Sequence, residues 1–297
     1  MQDSCPSNTA KLIAQCILLA ARDRNLQSLV AEGEPDALRR ILTIDHDRDW
    51  LLTALKIAPA RWFFLGVERL LLPGIITHYL ARKRQIEIEV EQAIAHGCRR
   101  VVVIAAGYDT LAWRLHRKHP AVQFIELDHP ATQQVKHEAL GQASNFCFQP
   151  IDLVAELPST ALSKISSEAI HPTAVVVEGL TMYFQPNRVA ELMRDLSSCA
   201  GPGGSVVFTF MERDKTGSIA FRRENPLVAR WLKARSEPFL WGISRDELPT
   251  FLKTSGLEPD RLADHEVLRR EQLQPRNIEQ LPLAEGELIC TASPLSQ

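Results

Sequence analysis

Four positions along the chain carry side chains that could bind a nucleotide-like ligand, and each follows an apolar run. They are the small-residue turn Ala105-Ala106-Gly107, Asp128, Asp152 and Glu178. Gly107 lets the backbone approach a ligand closely. Asp128, about twenty residues after the turn, has the type and spacing of an acid that accepts hydrogen bonds from ribose hydroxyls. A carboxylate at Asp152 can receive an adenine amino group, and Glu178 requires a cationic or hydrogen-bonding partner.

Each of these residues also has a purely structural interpretation. Gly107 could be an ordinary turn glycine, since Gly-x-Gly-x-x-Gly is absent. Asp128 could cap the next helix, and Asp152 could be a solvated loop residue. Arg82 lies on a helix before the first strand, where it could belong to a solvated face with Lys83 and Arg84.

The elements that position these residues alternate between strand and helix. Apolar runs predict strands at 100–105, 122–127, 145–149, 173–177 and 205–210, with weaker candidates around 265–269 and at 287–292. Helices are predicted to begin at Asp109, Pro130, residue 159 and Pro186, and Ser244 and Glu247 form a capping box for another. This alternation indicates an α/β fold with a mostly parallel sheet, in which ligands bind beyond the carboxyl ends of the strands.

The first 90 residues carry helical patterns and little that resembles a strand. We interpret residues 1–90 as a helical subdomain or lid, and residues 91–297 as the sheet domain. An insertion at about 211–243 carries Phe221, Trp231, Phe239 and Trp241, which would line a pocket or pack in the core. The apolar stripe from Leu12 to Ala20 would cover the pocket or pair two chains.

Composition excludes several functional classes. The 297 residues are 45% hydrophobic with a formal net charge of −2, so a large core is expected and a nucleic-acid partner is not. The six cysteines lack zinc spacing, and the charged turn at 45–49 lacks the glycine and distal glutamate of a calcium loop, so we predict no metal. We see no signal peptide or membrane span, and we predict a cytoplasmic protein.

The order VVVIAAGYDTLAWRL, FIELDHPATQQVK, IDL and VVVEGLTMYFQPNRV resembles the leucine carboxyl methyltransferase family, closest to its bacterial branch of polyketide O-methyltransferases, including the tetracenomycin carboxyl methyltransferase type. The resemblance covers roughly residues 75 to 210. It implies a class I methyltransferase fold, a Rossmann-like seven-stranded sheet, and S-adenosylmethionine as cofactor.

The resemblance also implies roles for individual residues. Arg82 matches the arginine for the methionine carboxylate and Glu178 the glutamate near the methionyl amino group. Ala105, Gly107 and Asp109 belong to the matching turn, Asp128 matches the ribose-binding acid, and Asp152 and Leu153 match the adenine-side pair. Ala105 stands where the family has glycine, Leu111 replaces the common bacterial arginine, and Glu87 replaces an aspartate.

The implied reaction is an in-line methyl transfer to a small-molecule acceptor, with a carboxylate expected first and a polyketide-like hydroxyl second. A carboxylate needs no general base, whereas a hydroxyl does. The catalytic candidates are His78 and Tyr79, which precede Arg82, and Tyr183, which matches the family's tyrosine. A nicotinamide-dependent oxidoreductase and a methyltransferase-like protein that binds without chemistry are the alternatives.

Overall fold

The structure is a computed structural model that describes residues 8–45, 53, 57–165, 171–227, 230 and 238–295. Its centre is one seven-stranded sheet in the order β3-β2-β1-β4-β5-β7-β6. The strands are β1 Arg100–Ile104, β2 Gln123–Asp128, β3 Phe146–Pro150, β4 Thr173–Val177, β5 Ser205–Met211, β6 Leu257–Ala263 and β7 Glu287–Pro294. The first five pair in parallel, whereas β7 runs antiparallel to both β5 and β6.

The helices in the described ranges follow from proline starts and apolar stripes. We number them α1 Asn8–Ala20, α2 Glu34–Ile44, α3 Ala58–Leu71, α4 Ile75–Ala95, α5 Leu111–Lys118, α6 Pro130–Leu140, α7 Pro158–Ser163, α8 Pro186–Ala200, α9 Leu248–Thr254 and α10 His265–Leu268. The alternation of β1 to β5 with α5 to α8 confirms the predicted α/β fold.

Apolar cores cover both faces of the sheet because successive strand residues point to opposite sides. Val101 and Val103 of β1 share one buried cluster with side chains of α1, α2 and α4. Val102 and Ile104 share the other with side chains of α8 and α9. The apolar stripe of α1 is therefore largely buried in the core, whereas its first member, Leu12, is 38% exposed. The division of the chain at residue 90 and the limits of the insertion stay predictions.

The prediction of a sixth strand around 265–269 is wrong. Residues 265–268 form α10, because the Asp264 carboxylate accepts hydrogen bonds from the amides of Glu266 and Val267, each at 3.0 Å. The strand is Leu257–Ala263, which lies at the edge of the sheet with a register shift at Pro259. Proline is tolerated at such edge positions because its missing amide costs little there.

A second correction concerns the helix after β1, which begins at Leu111 rather than at Asp109. The Asp109 carboxylate accepts a hydrogen bond from the Leu111 amide, so the side chain does serve the helix terminus from two residues upstream.

Two further predictions can be compared only in part. The charged turn at 46–49 and Trp231 lie outside the described residues. Within the described ranges no single helix is long and apolar enough to cross a membrane; α3 and α4 satisfy the length and composition test only as a pair bent by 90°.

Candidate functional site

The site lies at the carboxyl end of β1, which lies between β2 and β4 in the sheet. At this point the order in which successive strands are added to the sheet changes direction. Connections leave β1 and β4 towards opposite sides, and the crevice between them is the usual ligand position in such sheets. The turn 105–107 follows β1, Asp128 ends β2, and Glu178 follows β4. The structure thus brings these predicted residues to one edge.

The turn after β1 has a left-handed backbone at two positions. Gly107 has a φ of +51°, and Ala105 has the same value although it carries a methyl group. The Gly107 amide donates to Asp128 Oδ2. A methyl group added at Gly107 would lie 3.0 Å from the Ala10 side chain, so the first turn of α1 lies against this turn.

Asp128 is buried, with 8% of its surface exposed. Its carboxylate accepts hydrogen bonds from the amides of Gly107 and His129. Burial raises the pKa of Asp128, and these two amides partly oppose the rise. The side chain therefore holds the turn after β1.

Asp152 lies just after β3 and is exposed. Its Oδ1 accepts the Val154 amide at 2.9 Å, as a loop aspartate often does. The preceding amide, Ile151 N, donates to the carbonyl of Asp128 at 2.9 Å, which places this loop beside the end of β2. Leu153 is half-buried against the core on the α8 face of the sheet.

Arg82 and Glu178 form the centre of a buried ionic cluster. Arg82 Nε and Nη2 donate to Glu178 Oε1 at 3.0 and 2.6 Å, and Nη1 donates to Glu287 Oε2 at 2.5 Å. Burial by itself would lower the pKa of Arg82, but the two glutamates outweigh it and raise the pKa. The partner that the sequence required for Glu178 is thus Arg82.

Lys83 adds a second cation to this cluster. Its Nζ pairs with the Asp109 carboxylate and lies 3.3 Å from that of Glu178. Burial would raise the pKa of Asp109, but Lys83 outweighs it and holds the pKa below its ordinary value. With Glu287 included, two cations face three carboxylates in this cluster.

Two members of the cluster are missed by sequence reasoning. One is Lys83, which the sequence places only in a possible solvated face with Arg82 and Arg84. The other is Glu287, which opens β7; because β7 runs antiparallel, its beginning lies at the edge where the parallel strands end. An acid directly before an apolar run is the available signal, but the sequence does not reveal the direction of that strand.

The three catalytic candidates lie at different distances from this cluster. His78 is 1% exposed, and its Nε2 lies 2.9 Å from Glu287 Oε2. The Arg82 guanidinium lies 5.0 Å from the Tyr79 ring centroid. Tyr183 lies in a short 3₁₀ turn, with its ring 5.8 Å from that of Phe239.

An apolar cluster adjoins His78. It contains Leu72, Met182, Met211, Phe221 and Ala284, with Ile75, Tyr183, Ile219 and Phe239 packed against it. The Phe221 ring lies 5.8 Å from the His78 ring and 6.1 Å from that of Phe239. Trp241 packs elsewhere, in the core on the α8 face. We call the group that contains Phe221 and Phe239 the aromatic cluster.

Metal binding finds no support in the described ranges. They contain no group of three or more His, Cys, Asp or Glu side chains that could hold an ion. The acidic side chains at the edge of the sheet pair instead with Arg82, Lys83 and backbone amides.

Similarity to known proteins agrees with this geometry. The chain is 28% identical over 195 residues to a protein of Mycobacterium bovis named as an S-adenosyl-L-methionine-dependent methyltransferase, covering 62% of this chain and 61% of that one. A protein of the same name from Mycobacterium marinum is 26% identical over 302 residues, covering 97% and 94%. For the first of these relatives, the match spans about three fifths of its length.

Two solved structures share the fold at 13% sequence identity. They are a DUF574 family protein from Streptomyces avermitilis, with a TM-score of 0.57 over 95% of this chain and 96% of that one, and a protein from Thermobifida fusca named as a methyltransferase, with a TM-score of 0.56 over 99% and 97%. The profile of the leucine carboxyl methyltransferase family matches residues 18–197, which is more than half of the chain. The chain therefore belongs to the leucine carboxyl methyltransferase family of S-adenosylmethionine-dependent methyltransferases.

Proposed function

We propose that the protein transfers the methyl group of S-adenosylmethionine to an oxygen atom of a small-molecule acceptor. The observation that carries this proposal is the Arg82–Glu178 pair, which Lys83 links to Asp109 of the turn after β1. A cation and an anion side by side match the carboxylate and ammonium groups of an amino acid. The donor set therefore fits the methionine end of the cofactor.

The other predicted residues would hold the rest of the cofactor. Asp128 would accept hydrogen bonds from the ribose hydroxyls, and Asp152 with Leu153 would bind the adenine. Gly107, Ala105 and Asp109 would shape the turn, since Asp109 holds Lys83 and the start of α5.

When bound, S-adenosylmethionine supplies an activated, electrophilic methyl group. The chain then has to align the acceptor oxygen in line with the bond that breaks and to exclude water. The aromatic cluster lies next to the ionic cluster that would bind the methionine end, because His78 contacts both Phe221 and Glu287. We propose that it forms the acceptor side of the site.

Of the two acceptor classes, the charges at the site favour a hydroxyl over the carboxylate that we expected first. Arg82 and Lys83 are already paired, and Glu287 lies next to the aromatic cluster. A carboxylate acceptor bound against the aromatic cluster would add negative charge beside Glu287. A neutral hydroxyl adds none.

A hydroxyl acceptor needs a base, and His78 is our candidate. Glu287 at His78 Nε2 would stabilise the imidazolium that forms when His78 takes a proton. His78 Nδ1 is buried and has no hydrogen-bond partner among the described residues. Burial raises the pKa of Tyr79, so its phenol stays protonated at neutral pH and cannot serve as this base.

Calorimetric titration with S-adenosylhomocysteine tests the cofactor site. Asp128→Asn should weaken binding by about 1–3 kcal/mol, because the substitution removes a charged acceptor of hydrogen bonds. Asp36→Asn, at an exposed aspartate on α2, is the matched control and should bind as the wild type does. No binding to the wild type, or equal binding by both variants, would refute the proposed site.

Methyl transfer from labelled donor to a panel of hydroxylated and carboxylated aromatic compounds tests the acceptor class. His78→Gln should slow transfer to hydroxyls by about 10²–10⁴-fold while leaving affinity for S-adenosylhomocysteine unchanged. Transfer to carboxylates alone, unaffected by His78→Gln, would restore the carboxylate assignment. Cofactor binding without any methylated product would favour the non-catalytic alternative.

The biosynthetic role and location are also part of the proposal. The resemblance to the polyketide O-methyltransferase branch supports an acceptor of polyketide type, and we also propose a cytoplasmic location. The nicotinamide alternative has lost its basis, since it depended on the sheet alone and the chain belongs to a methyltransferase family.

A further inference from the structure

Helix α3 presents large apolar side chains to solvent. It contains no buried residue, and Trp62, Phe63 and Leu70 are 75%, 66% and 77% exposed. With Pro59 and Gly66 they follow the spacing i, i+3, i+4, i+7 and i+11, so these five residues share one face of the helix. We call this face the α3 stripe.

The opposite face of α3 attaches the helix to the rest of the chain. Phe64 and Leu65 pack against the core on the α1 and α4 side of the sheet. Glu68 Oε1 accepts the Gly74 amide at 2.7 Å, and the Leu71 carbonyl accepts the Asn225 amide at 2.9 Å. The helix is thus held in place while its most apolar face stays uncovered.

The exposed area is large for a monomer. Ile57, just before the helix, is 57% exposed. Together with Trp62, Phe63 and Leu70 it exposes an apolar surface on the order of 500 Å², if each complete side chain has roughly 150–250 Å². This lies near the top of the range of about 300–600 Å² seen for the largest apolar patch on monomers. It also supplies most of the about 800 Å² per partner that a stable dimer buries.

Gly66 lies at the middle of the stripe. A methyl group added there would meet nothing within 4 Å among the described residues, so none of them requires a glycine at this position. Glycine weakens a helix interior, because it loses the most backbone freedom on folding. Its presence is explained if another backbone approaches closely at this point.

We propose that the α3 stripe is the interface of a homodimer, in which two copies of α3 cross in antiparallel orientation at Gly66. Trp62 lies four residues before Gly66 and Leu70 four residues after it. A two-fold axis through Gly66 therefore places Trp62 against the partner subunit's Leu70, and the reverse contact is its symmetry equivalent. The stripe is self-complementary, as such an interface requires.

The exposed cation on α3 fits the same arrangement. Arg69 lies three residues after Gly66 and Phe63 three residues before it, and both are exposed. The two-fold axis brings the Arg69 guanidinium near the partner subunit's Phe63 ring, a favourable cation–π pairing. The same two-fold axis thus produces both the contact of Trp62 with the partner subunit's Leu70 and that of Arg69 with the partner subunit's Phe63.

The glycine distinguishes a second copy from a lipid surface as the occupant. A bilayer or an apolar ligand would gain from a larger side chain at position 66, since that adds apolar area. A closely approaching helix gains from having none. The observed residue therefore favours the partner helix.

Sedimentation velocity of the full chain over a dilution series at micromolar concentrations tests the proposal. The wild type should sediment as a dimer that dissociates on dilution. Gly66→Leu and Trp62→Glu should each weaken the dimer by about tenfold or more, because one blocks the close approach and the other charges the contact. Val154→Glu is the control, since it changes an exposed apolar residue, 67% exposed, on a different segment.

Circular dichroism and thermal melting show whether the variants fold. Gly66→Leu should fold at least as stably as the wild-type monomer, because leucine is the better helix former and has open space there. A wild type that is monomeric throughout, or a dimer that Gly66→Leu leaves intact, would overturn the proposal. So would a monomer whose binding to phosphatidylcholine vesicles becomes tighter on the Gly66→Leu substitution.

Discussion

At the scale of single residues, Ala105 departs most clearly from expectation. A methyl group at the family's glycine position fits without strain only if the backbone there avoids the left-handed region. The structure places Ala105 in that region, with a φ of +51°. The left-handed conformation costs a residue with a side chain about 1–2 kcal/mol. The turn after β1, on which the proposed cofactor site depends, is therefore strained.

Ala105→Gly should relieve this strain. We expect a gain in the free energy of unfolding of up to about 1 kcal/mol, since the relieved strain exceeds the added entropy of the unfolded chain. Urea unfolding measures it. The control is Ala106→Gly, because Ala106 is a buried neighbour whose φ is not positive. This variant should instead lose about 1 kcal/mol of unfolding free energy. Equal losses in the two variants would show that Ala105 is not strained.

At the scale of elements, helix α4 carries the cations and the candidate base. His78, Tyr79, Arg82 and Lys83 lie within two turns of one another on it. The helix follows Gly74, which has a φ of +83° and whose carbonyl accepts the Ala284 amide at 3.1 Å. A methyl group at Gly74 would lie 2.5 Å from the backbone of Pro282 and Leu283. This glycine thus permits the close approach that sets the position of α4.

Gly74→Ala should cost more than about 3 kcal/mol of unfolding free energy, because rigid backbone atoms leave no space for the methyl group. Gly33→Ala is a closely matched control. Gly33 also precedes a helix, with a φ of +77°, but no atom of the part of the chain that the structure describes lies within 4 Å of a methyl group added there. It should lose only about 1–2 kcal/mol from the left-handed backbone. Denaturant unfolding of both variants separates the clash from the backbone term.

At the scale of the whole molecule, the ionic cluster joins distant segments of the chain. Arg82 and Glu287 are 205 positions apart, and Arg82 and Glu178 are 96 apart. Burial by itself would raise the pKa of Glu287, but Arg82 and His78 outweigh it and lower the pKa to about 2. The contribution of this carboxylate to stability is therefore fully present above pH 4.5 and lost as the pH falls towards 2.

Glu287→Gln should destabilise the protein by about 3 kcal/mol at pH 7, because it removes one partner from a buried charge cluster. The difference in unfolding free energy between the wild type and the variant should shrink by about 2 kcal/mol at pH 3, because the wild type has lost most of the contribution of this carboxylate there. Urea unfolding at the two pH values measures both. Glu138→Gln, at an exposed glutamate on α6, should show no such change. A difference independent of pH would contradict the lowered pKa of Glu287.

The amino-acid sequence by itself determined the five parallel strands, the helices between them and the residues at their ends. Apolar periodicity and proline or capping residues act over a few positions, so the local chain carries this information. Family resemblance then assigned the turn at Gly107, Asp128 and Glu178 to one cofactor. The sequence also indicated that Glu178 needs a partner.

The identity of that partner was decided by the tertiary structure, as were the roles of Lys83 and Glu287. The antiparallel direction of β7 brings Glu287 to the site, and strand pairing across the sheet depends on contacts that no local pattern encodes. The same reason explains the misplaced sixth strand, because Leu257–Ala263 has a polar edge-strand sequence whose extended form is stabilised by pairing with β7. The left-handed backbone of Ala105 was likewise revealed only by the structure.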